Sequence, residues 1–111
     1  MPSNVTVVLT NYKRTGNLFR IVRAFKAQSV RPDSFVLVDN HPPLEYEFAA
    51  GRGLSRKFED VYRFNVNAGP SCRFVGAVFN KTKYTLFYDD DMVPAKYMLE
   101  SFINSASDLN D

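Results

Sequence analysis

The residues with the most evident chemistry are three consecutive aspartates, Asp89, Asp90 and Asp91, which directly follow an apolar segment of strand length. Side chains at positions i and i+2 of an extended chain share a face, so Asp89 and Asp91 can point into one space. Two close carboxylates repel each other unless a cation or a proton lies between them. Oxygen ligands favour Mg²⁺ or Mn²⁺ over zinc, especially where a diphosphate completes the shell. The spacing therefore predicts a divalent-metal site with Asp91 and Asp89 as ligands.

The same three aspartates are also compatible with two different roles. They could cap the helix that follows Pro94, although three carboxylates exceed what one cap requires. They could instead begin a calcium loop, because Asp89, Asp91 and Glu100 occupy positions 1, 3 and 12 of the EF-hand spacing. Pro94 stands where that loop requires glycine, which excludes the EF-hand. The helix cap stays open as the alternative to a metal site.

Further polar residues follow the other two clear apolar segments, namely Thr10, Asn11, Tyr12, Lys13 and Arg14 after the first, and Asp39 after the second. The Asp39 carboxylate can accept a hydrogen bond from a nucleobase N–H or a ribose hydroxyl, or it can form a turn before Pro42. Arg14 and Arg73 offer positive charge to phosphates, and Arg73 lies near a predicted helix start, where the helix dipole would add to its effect. The candidate nucleotide-binding residues are therefore Thr10, Asn11, Tyr12, Arg14, Asp39 and Arg73, together with Asp89 and Asp90.

The sequence lacks the motifs of several other binding and catalytic sites. No glycine-rich phosphate loop of either common type follows the first strand, so a nucleotide would be held without one. His41 has no apparent Ser or Cys partner. Cys72 falls on an apolar stripe, which is typical of a core residue rather than a nucleophile.

The order of apolar segments predicts the fold that positions these residues. Residues 5–9, 35–38 and 85–88 are predicted strands, and residues 61–66 are a possible further one. Helical spacing of apolar residues predicts helices over about 16–28, from Pro70 to Phe79, and after Pro94, where Met98, Leu99, Phe102 and Ile103 form a stripe. Strand, helix and strand in succession predict an α/β fold, a three-layer α/β/α sandwich with a mostly parallel sheet. Such sheets bind ligands at the C-terminal ends of their strands.

Length and composition limit the remaining possibilities. The 111 residues predict a single domain, 1–111, and a net charge of +2 gives no reason to expect nucleic-acid binding. No apolar run approaches the roughly 20 residues that a transmembrane helix needs, and the first residues lack the pattern of a signal peptide. The single cysteine suits a reducing compartment. These features predict a soluble cytoplasmic domain.

Five segments in this order resemble the family 2 glycosyltransferases, which have the GT-A fold. They are residues 5–14, the helix ending in Gln28 and Ser29, residues 36–40, residues 67–76, and residues 87–94 with the D-x-D motif. The resemblance covers nearly the whole chain. It implies a Rossmann-like nucleotide-binding half. It also implies a metal-dependent inverting transfer of a sugar from a nucleoside diphosphate to a glycan or other acceptor hydroxyl. A UDP-sugar is the favoured donor and a GDP-sugar the next.

The resemblance also implies roles for individual residues. Thr10, Asn11 and Tyr12 would line the base pocket. Asp39 would bind the base, and Arg73 would approach the base or the diphosphate. Asp89 would contact the ribose or a metal-bound water, Asp91 would ligate Mn²⁺ or Mg²⁺, and Asp90 would support the turn or meet the sugar.

The chain departs from the family pattern in two places and in length. Residues 41–43, His-Pro-Pro, replace the usual Gly-Ser-Thr, and Phe74 replaces an asparagine. Family members continue beyond the D-x-D motif into the half that supplies the acceptor groove and the general base. We therefore expect the catalytic base outside this chain, and expect apolar surface that packs with a missing C-terminal half or self-associates.

Three different functions remain as alternatives. A nucleotidyltransferase would show a glycine-rich turn after the first strand, where this chain is basic. A non-enzymatic Mg²⁺-binding α/β module would carry its acidic residues at that same place. The third alternative keeps the fold and gives a catalytically incomplete nucleotide-binding fragment.

Overall fold

The computed structural model describes residues 3–12, 15–40, 58–64, 69–78, 80–90 and 92–110. Within these ranges the chain forms four strands, two α-helices and one 3₁₀-helix. In chain order they are β1 (Val5–Asn11), α1 (Thr15–Lys26), β2 (Ser34–Asn40), β3 (Asp60–Phe64), the 3₁₀-helix η1 (Pro70–Ala77), β4 (Tyr84–Asp89) and α2 (Met98–Asn110). No helix of the described part is long and apolar enough to cross a membrane.

The four strands form one parallel sheet in the order β3-β2-β1-β4. From β1 the chain adds β2 and then β3 on one side, and β4 returns to the other side of β1. The strand order therefore reverses between β1 and β4, which is where open α/β sheets bind their ligands. The predicted α/β fold with a parallel sheet is confirmed.

Each face of the sheet is covered by a different set of helices. The alternate residues Val5, Val7 and Leu9 of β1 share a buried cluster with apolar residues of both α-helices. On the opposite face Val8 packs in a second cluster, with Val36 and Val38 of β2 and Cys72 and Val75 of η1. Because side chains alternate along a strand, β1 contributes to both cores, which accounts for its consecutive apolar residues Val7, Val8 and Leu9. The arrangement has the three layers that the sequence predicts.

The helix predicted from Pro70 is a 3₁₀-helix that ends at Ala77. It lies very close to the sheet at Gly76, where an added Cβ would stand 2.6 Å from Val8 Cγ1 and 3.1 Å from Val38 Cγ2. Cys72 is buried and Val75 packs on the same cluster, as the apolar stripe predicts. Phe79, the last residue of that stripe, lies outside the described residues.

The remaining boundaries differ from the predicted ones by a few residues. The third strand is Asp60–Phe64, so its predicted continuation at residues 65–66 lies outside the described part. Helix α2 begins at Met98 rather than after Pro94. The carbonyls of Ala95 and Lys96 accept hydrogen bonds from Gln28 and Ser29, near the end of α1, which anchors this stretch outside the helix.

Candidate functional site

A pocket of about 290 Å³ opens at the C-terminal ends of β1 and β4. Its described lining consists of Thr10, Tyr12, Asn40, Gly69, Arg73, Asp89 and Asp90. Thr10 lies opposite Asp89 in the register of the two parallel strands, so both strands end at the same edge of the sheet. The structure thus brings together five of the predicted nucleotide-binding residues, from sequence positions up to 80 apart, at the point where the strand order reverses.

Asp90 fixes the turn that follows β1. Its Oδ2 accepts the backbone N–H of Tyr12 at 2.6 Å, and its carbonyl oxygen accepts a bond from Asn17 Nδ2, in the first turn of α1, at 2.9 Å. The residue is only 9% exposed. Of the two roles considered for Asp90, these bonds correspond to support of the turn.

Asp89 has the opposite character, since its side chain is 51% exposed at the rim of the pocket. An ion pair joins its Oδ1 to Arg73 Nη2 at 4.0 Å, the outer limit for such a contact. An exposed ion pair of this kind contributes about 0–1 kcal/mol, so a ligand can displace it at little cost. Asp89 and Arg73 therefore place an accessible negative and an accessible positive charge at the same rim.

Asp39 lies beneath the pocket rather than in its lining. The residue is 0% exposed, and its Oδ1 accepts a hydrogen bond from Asn11 Nδ2 at 2.9 Å. The next residue along β2, Asn40, lines the pocket instead. Contact between the Asp39 carboxylate and a nucleobase would need the side chain to turn out of this buried position. The role of Asp39 in base binding stays a prediction.

Part of the predicted site lies outside the described residues, namely Arg14 and Asp91, together with Lys13 and His41. Within the described part, no group of three or more His, Cys, Asp or Glu residues is placed to hold a metal ion. The ligand pair of Asp89 and Asp91 thus remains a prediction.

Burial raises the pKa of the Cys72 thiol, and the nearby Arg73 guanidinium opposes that shift more weakly. A thiol with a raised pKa is a poor nucleophile, because the thiolate is the reactive form. This result agrees with the structural role that the sequence predicts for Cys72.

Sequence reasoning missed three residues of the site, Asn40, Gly69 and Asn17. Asn40 directly follows Asp39, so its place at a strand end was visible in the sequence. Gly69 has φ of 77°, a backbone conformation that favours glycine, and it stands directly before the proline that begins η1. Nothing in the sequence around Asn17 indicates that its side chain bonds to a residue 73 positions away.

The pocket lies at the reversal of strand order in a parallel sheet, which is where open α/β sheets bind their ligands. No protein-family model matches the chain, and no curated protein sequence matches it at a significant level. Among solved structures, S. aureus TarS superposes on 99% of this chain and 20% of its own, with a TM-score of 0.71 and 17% identity. A structure of TarS residues 1–349 in complex with UDP superposes on 99% of this chain and 32% of its own, with a TM-score of 0.70 and 18% identity.

TarS is a glycosyltransferase, and the likeness gives this chain a fold of the GT-A-like glycosyltransferase type. At these identities the likeness concerns the fold. The chain spans about a fifth to a third of the length of the solved structures it resembles.

Proposed function

We propose that the chain is the donor-binding part of a metal-dependent inverting glycosyltransferase, in which the pocket between β1 and β4 holds a nucleoside-diphosphate sugar. The observation that carries this proposal is the position of the pocket, at the strand-order reversal of a fold that a UDP-bound glycosyltransferase shares. A UDP-sugar is the favoured donor and a GDP-sugar the next, with a glycan or another hydroxyl compound as acceptor.

The residues that line the pocket would contact different parts of a nucleotide. Tyr12 is 36% exposed, so its ring can lie against the flat face of a base. Thr10 and Asn40 supply hydrogen-bonding groups beside it. Arg73 presents a guanidinium that can pair with phosphate oxygens. Asp90 stabilises the pocket wall formed by Tyr12, because its carboxylate accepts the Tyr12 backbone N–H.

Asp89 fits a Mg²⁺ or Mn²⁺ ion, since its half-exposed carboxylate faces the pocket rim and provides the oxygen ligands that these ions take. Asp91 is the proposed second ligand. When bound, such a metal stabilises the negative charge that develops on a departing diphosphate. Asp89 would hold the ion on the side of the pocket where Arg73 also meets the phosphates.

The general base and the acceptor groove are proposed to lie outside this chain, which spans 20% and 32% of the two TarS chains. The 111 residues alone should then bind donor and show no multiple turnover. Sustained transfer by the isolated chain would contradict this part of the proposal. The base would then have to be sought among its own carboxylates, such as Glu59 and Asp60.

Calorimetric titration tests the metal and the nucleotide together. UDP, GDP and ADP are titrated into the chain with and without Mn²⁺. We expect UDP to bind better than ADP, and Mn²⁺ to raise UDP affinity by about 5–150-fold, which corresponds to a coupling of about 1–3 kcal/mol. Equal binding of all three nucleotides, or of none, would remove the support for a donor site.

The variant Asp91→Asn tests the proposed metal ligand. Asparagine keeps the size of the side chain and loses its charge, so the Mn²⁺ effect should disappear while helix content is unchanged. Asp89→Asn should weaken the same effect, and Asp60→Asn, an exposed aspartate at the start of β3, is the matched control. If Asp91→Asn retains the full Mn²⁺ effect, Asp91 does not hold the metal; a helix cap is no longer the alternative, because α2 begins at Met98, seven residues after Asp91 in the sequence.

A further inference from the structure

Helix α1 is bonded near both of its ends to the segment that follows β4. At its start the Asn17 side chain donates a hydrogen bond to the carbonyl of Asp90. Asp89 and Asp90, at the end of β4, are called the acidic turn below. Two and three residues beyond its end, Gln28 and Ser29 contact residues 95–99, which lead into α2. Asp90 and residues 95–99 therefore form two separate anchors to α1 and the residues directly after it, and Asp91 lies between these anchors in sequence.

Gln28 is the principal part of the second anchor. Its Nε2 donates to the carbonyl of Ala95 at 2.6 Å and to that of Ala24 at 3.3 Å. Its Oε1 accepts the backbone N–H of Leu99 at 3.1 Å. Leu99 is the second residue of α2, so its N–H is one of the donors that a helix start leaves without an intrahelical partner. The side chain is 6% exposed, and both ends of its amide are bonded to backbone groups.

Neighbouring groups reinforce this anchor. The backbone N–H of Ser29 donates to the carbonyl of Lys96 at 3.1 Å. Pro94 is buried, whereas Met92 and Val93 on the same stretch are exposed. The described connection between the acidic turn and α2 has no regular secondary structure up to residue 95, so its conformation depends on such bonds rather than on a backbone ladder.

We propose that Gln28 is a positioning residue. By holding the segment that follows the acidic turn, it keeps the turn in the conformation that binds metal and nucleotide together. This inference rests on the proposed function for its binding consequence. Glutamine suits the place because one planar amide both donates to Ala95 and accepts from Leu99. Methionine has a similar length and neither capability. Residues that orient a metal site through others can change metal affinity by about 10–100-fold.

The variant Gln28→Met tests the proposal through two readouts. The first is amide hydrogen exchange measured by NMR. Leu99 should exchange faster because its acceptor is gone. Tyr12 should also exchange faster, because its N–H is bonded to Asp90, and a loosened turn releases it. The second readout is UDP affinity, where we expect the Mn²⁺ enhancement to fall by up to about tenfold, in addition to any loss of metal-free affinity that follows from the release of Tyr12.

Two further variants complete the test. Ser29→Ala is the matched control, because Ser29 contributes its backbone N–H and keeps it; exchange and UDP affinity should remain those of the wild type. Gln28→Asn keeps a polar amide and is one methylene shorter, so it should show the same two effects to a smaller degree. It replaces Gln28→Met if circular dichroism shows that the latter is unfolded.

The outcomes separate this inference from the proposed function. Faster exchange at Leu99 with unchanged exchange at Tyr12 would overturn it, because Gln28 would then hold only the start of α2. Faster exchange at both sites with full Mn²⁺ enhancement would overturn it as well. If wild-type protein shows no Mn²⁺-dependent UDP binding, the proposed function fails, and Tyr12 exchange alone decides whether Gln28 holds the acidic turn.

Discussion

Two buried carboxylates, Asp39 and Asp90, hold the end of the first strand between its two neighbours. Asp39 belongs to β2 and accepts a bond from the Asn11 side chain, whereas Asp90 follows β4 and accepts the Tyr12 backbone N–H. The acceptors therefore act on consecutive residues from opposite sides. Because Tyr12 lines the pocket, the two carboxylates set the position of the pocket wall.

For the residue Asp39, we predict that Asp39→Ala destabilises the protein even without ligand. The substitution removes a buried acceptor from Asn11, which should cost about 1–3 kcal/mol in the free energy of unfolding. Urea unfolding followed by circular dichroism measures this change. An exposed carboxylate at this position would instead leave the unfolding of the ligand-free protein almost unchanged.

Asp39→Asn is the matched comparison, since it keeps the volume and one carbonyl oxygen. It should cost less than Asp39→Ala. A wild-type free energy of unfolding for Asp39→Ala, together with weakened UDP binding, would show instead that the carboxylate leaves its buried position and meets the base.

The element that completes the pocket from the opposite face is η1. It carries Arg73 to the rim while Cys72 packs towards the sheet. Its close approach depends on Gly76, because any Cβ there would overlap Val8. The distance between η1 and the sheet thus helps to set the distance between Arg73 and Asp89.

Gly76→Ala should therefore disturb both stability and the site. Overpacking of this kind costs about 1–3 kcal/mol, because Val8 and Val38 must shift or η1 must move outwards. Thermal unfolding measures the first effect. A calorimetric UDP titration measures the second, which should be a lower affinity as Arg73 is displaced.

Ser71→Ala is the control for this substitution, since Ser71 is exposed on the same 3₁₀-helix. It should leave both quantities unchanged. A Gly76→Ala protein of wild-type stability would show that η1 can move away from the sheet without cost.

Across the molecule as a whole, several large apolar side chains are exposed. They are Phe74 at 58%, Val78 at 65%, Met92 at 55%, Val93 at 54% and Tyr97 at 56%. Phe74 contacts Phe87 of β4 edge-on, with ring centroids 5.2 Å apart. Within the described residues β4 pairs only with β1, so Phe74 lies beside an edge strand. Exposed edges and apolar patches favour association.

We predict that the isolated chain self-associates at micromolar concentrations. Sedimentation velocity should show species larger than the 12.7 kDa monomer. The double substitution of Phe74 and Val78 by serine should shift the distribution towards the monomer, because it removes exposed apolar area. A wild-type chain that stays monomeric across this concentration range would contradict the prediction.

The amino-acid sequence alone was enough to predict the α/β class, the parallel sheet and the edge of that sheet where the pocket lies. Largely apolar segments such as residues 5–9 are buried on both faces, and only a sheet covered by helices on each side allows this. Parallel strands all end at one edge, so polar residues directly after them, such as Thr10 and Asp89, had to meet there.

Which of those polar side chains are accessible depends on the tertiary structure. Asp39 and Asp90 are buried and accept hydrogen bonds from residues 28 and 78 positions away, while the Asp89 side chain is 51% exposed at the pocket rim. Likewise, the backbone N–H of Leu99 in the first turn of α2 is accepted by the side chain of Gln28, 71 residues earlier in the chain. The spacing of residues along a strand determines which face of the sheet each side chain lies on. The partner of a buried polar group depends instead on segments that only folding brings together.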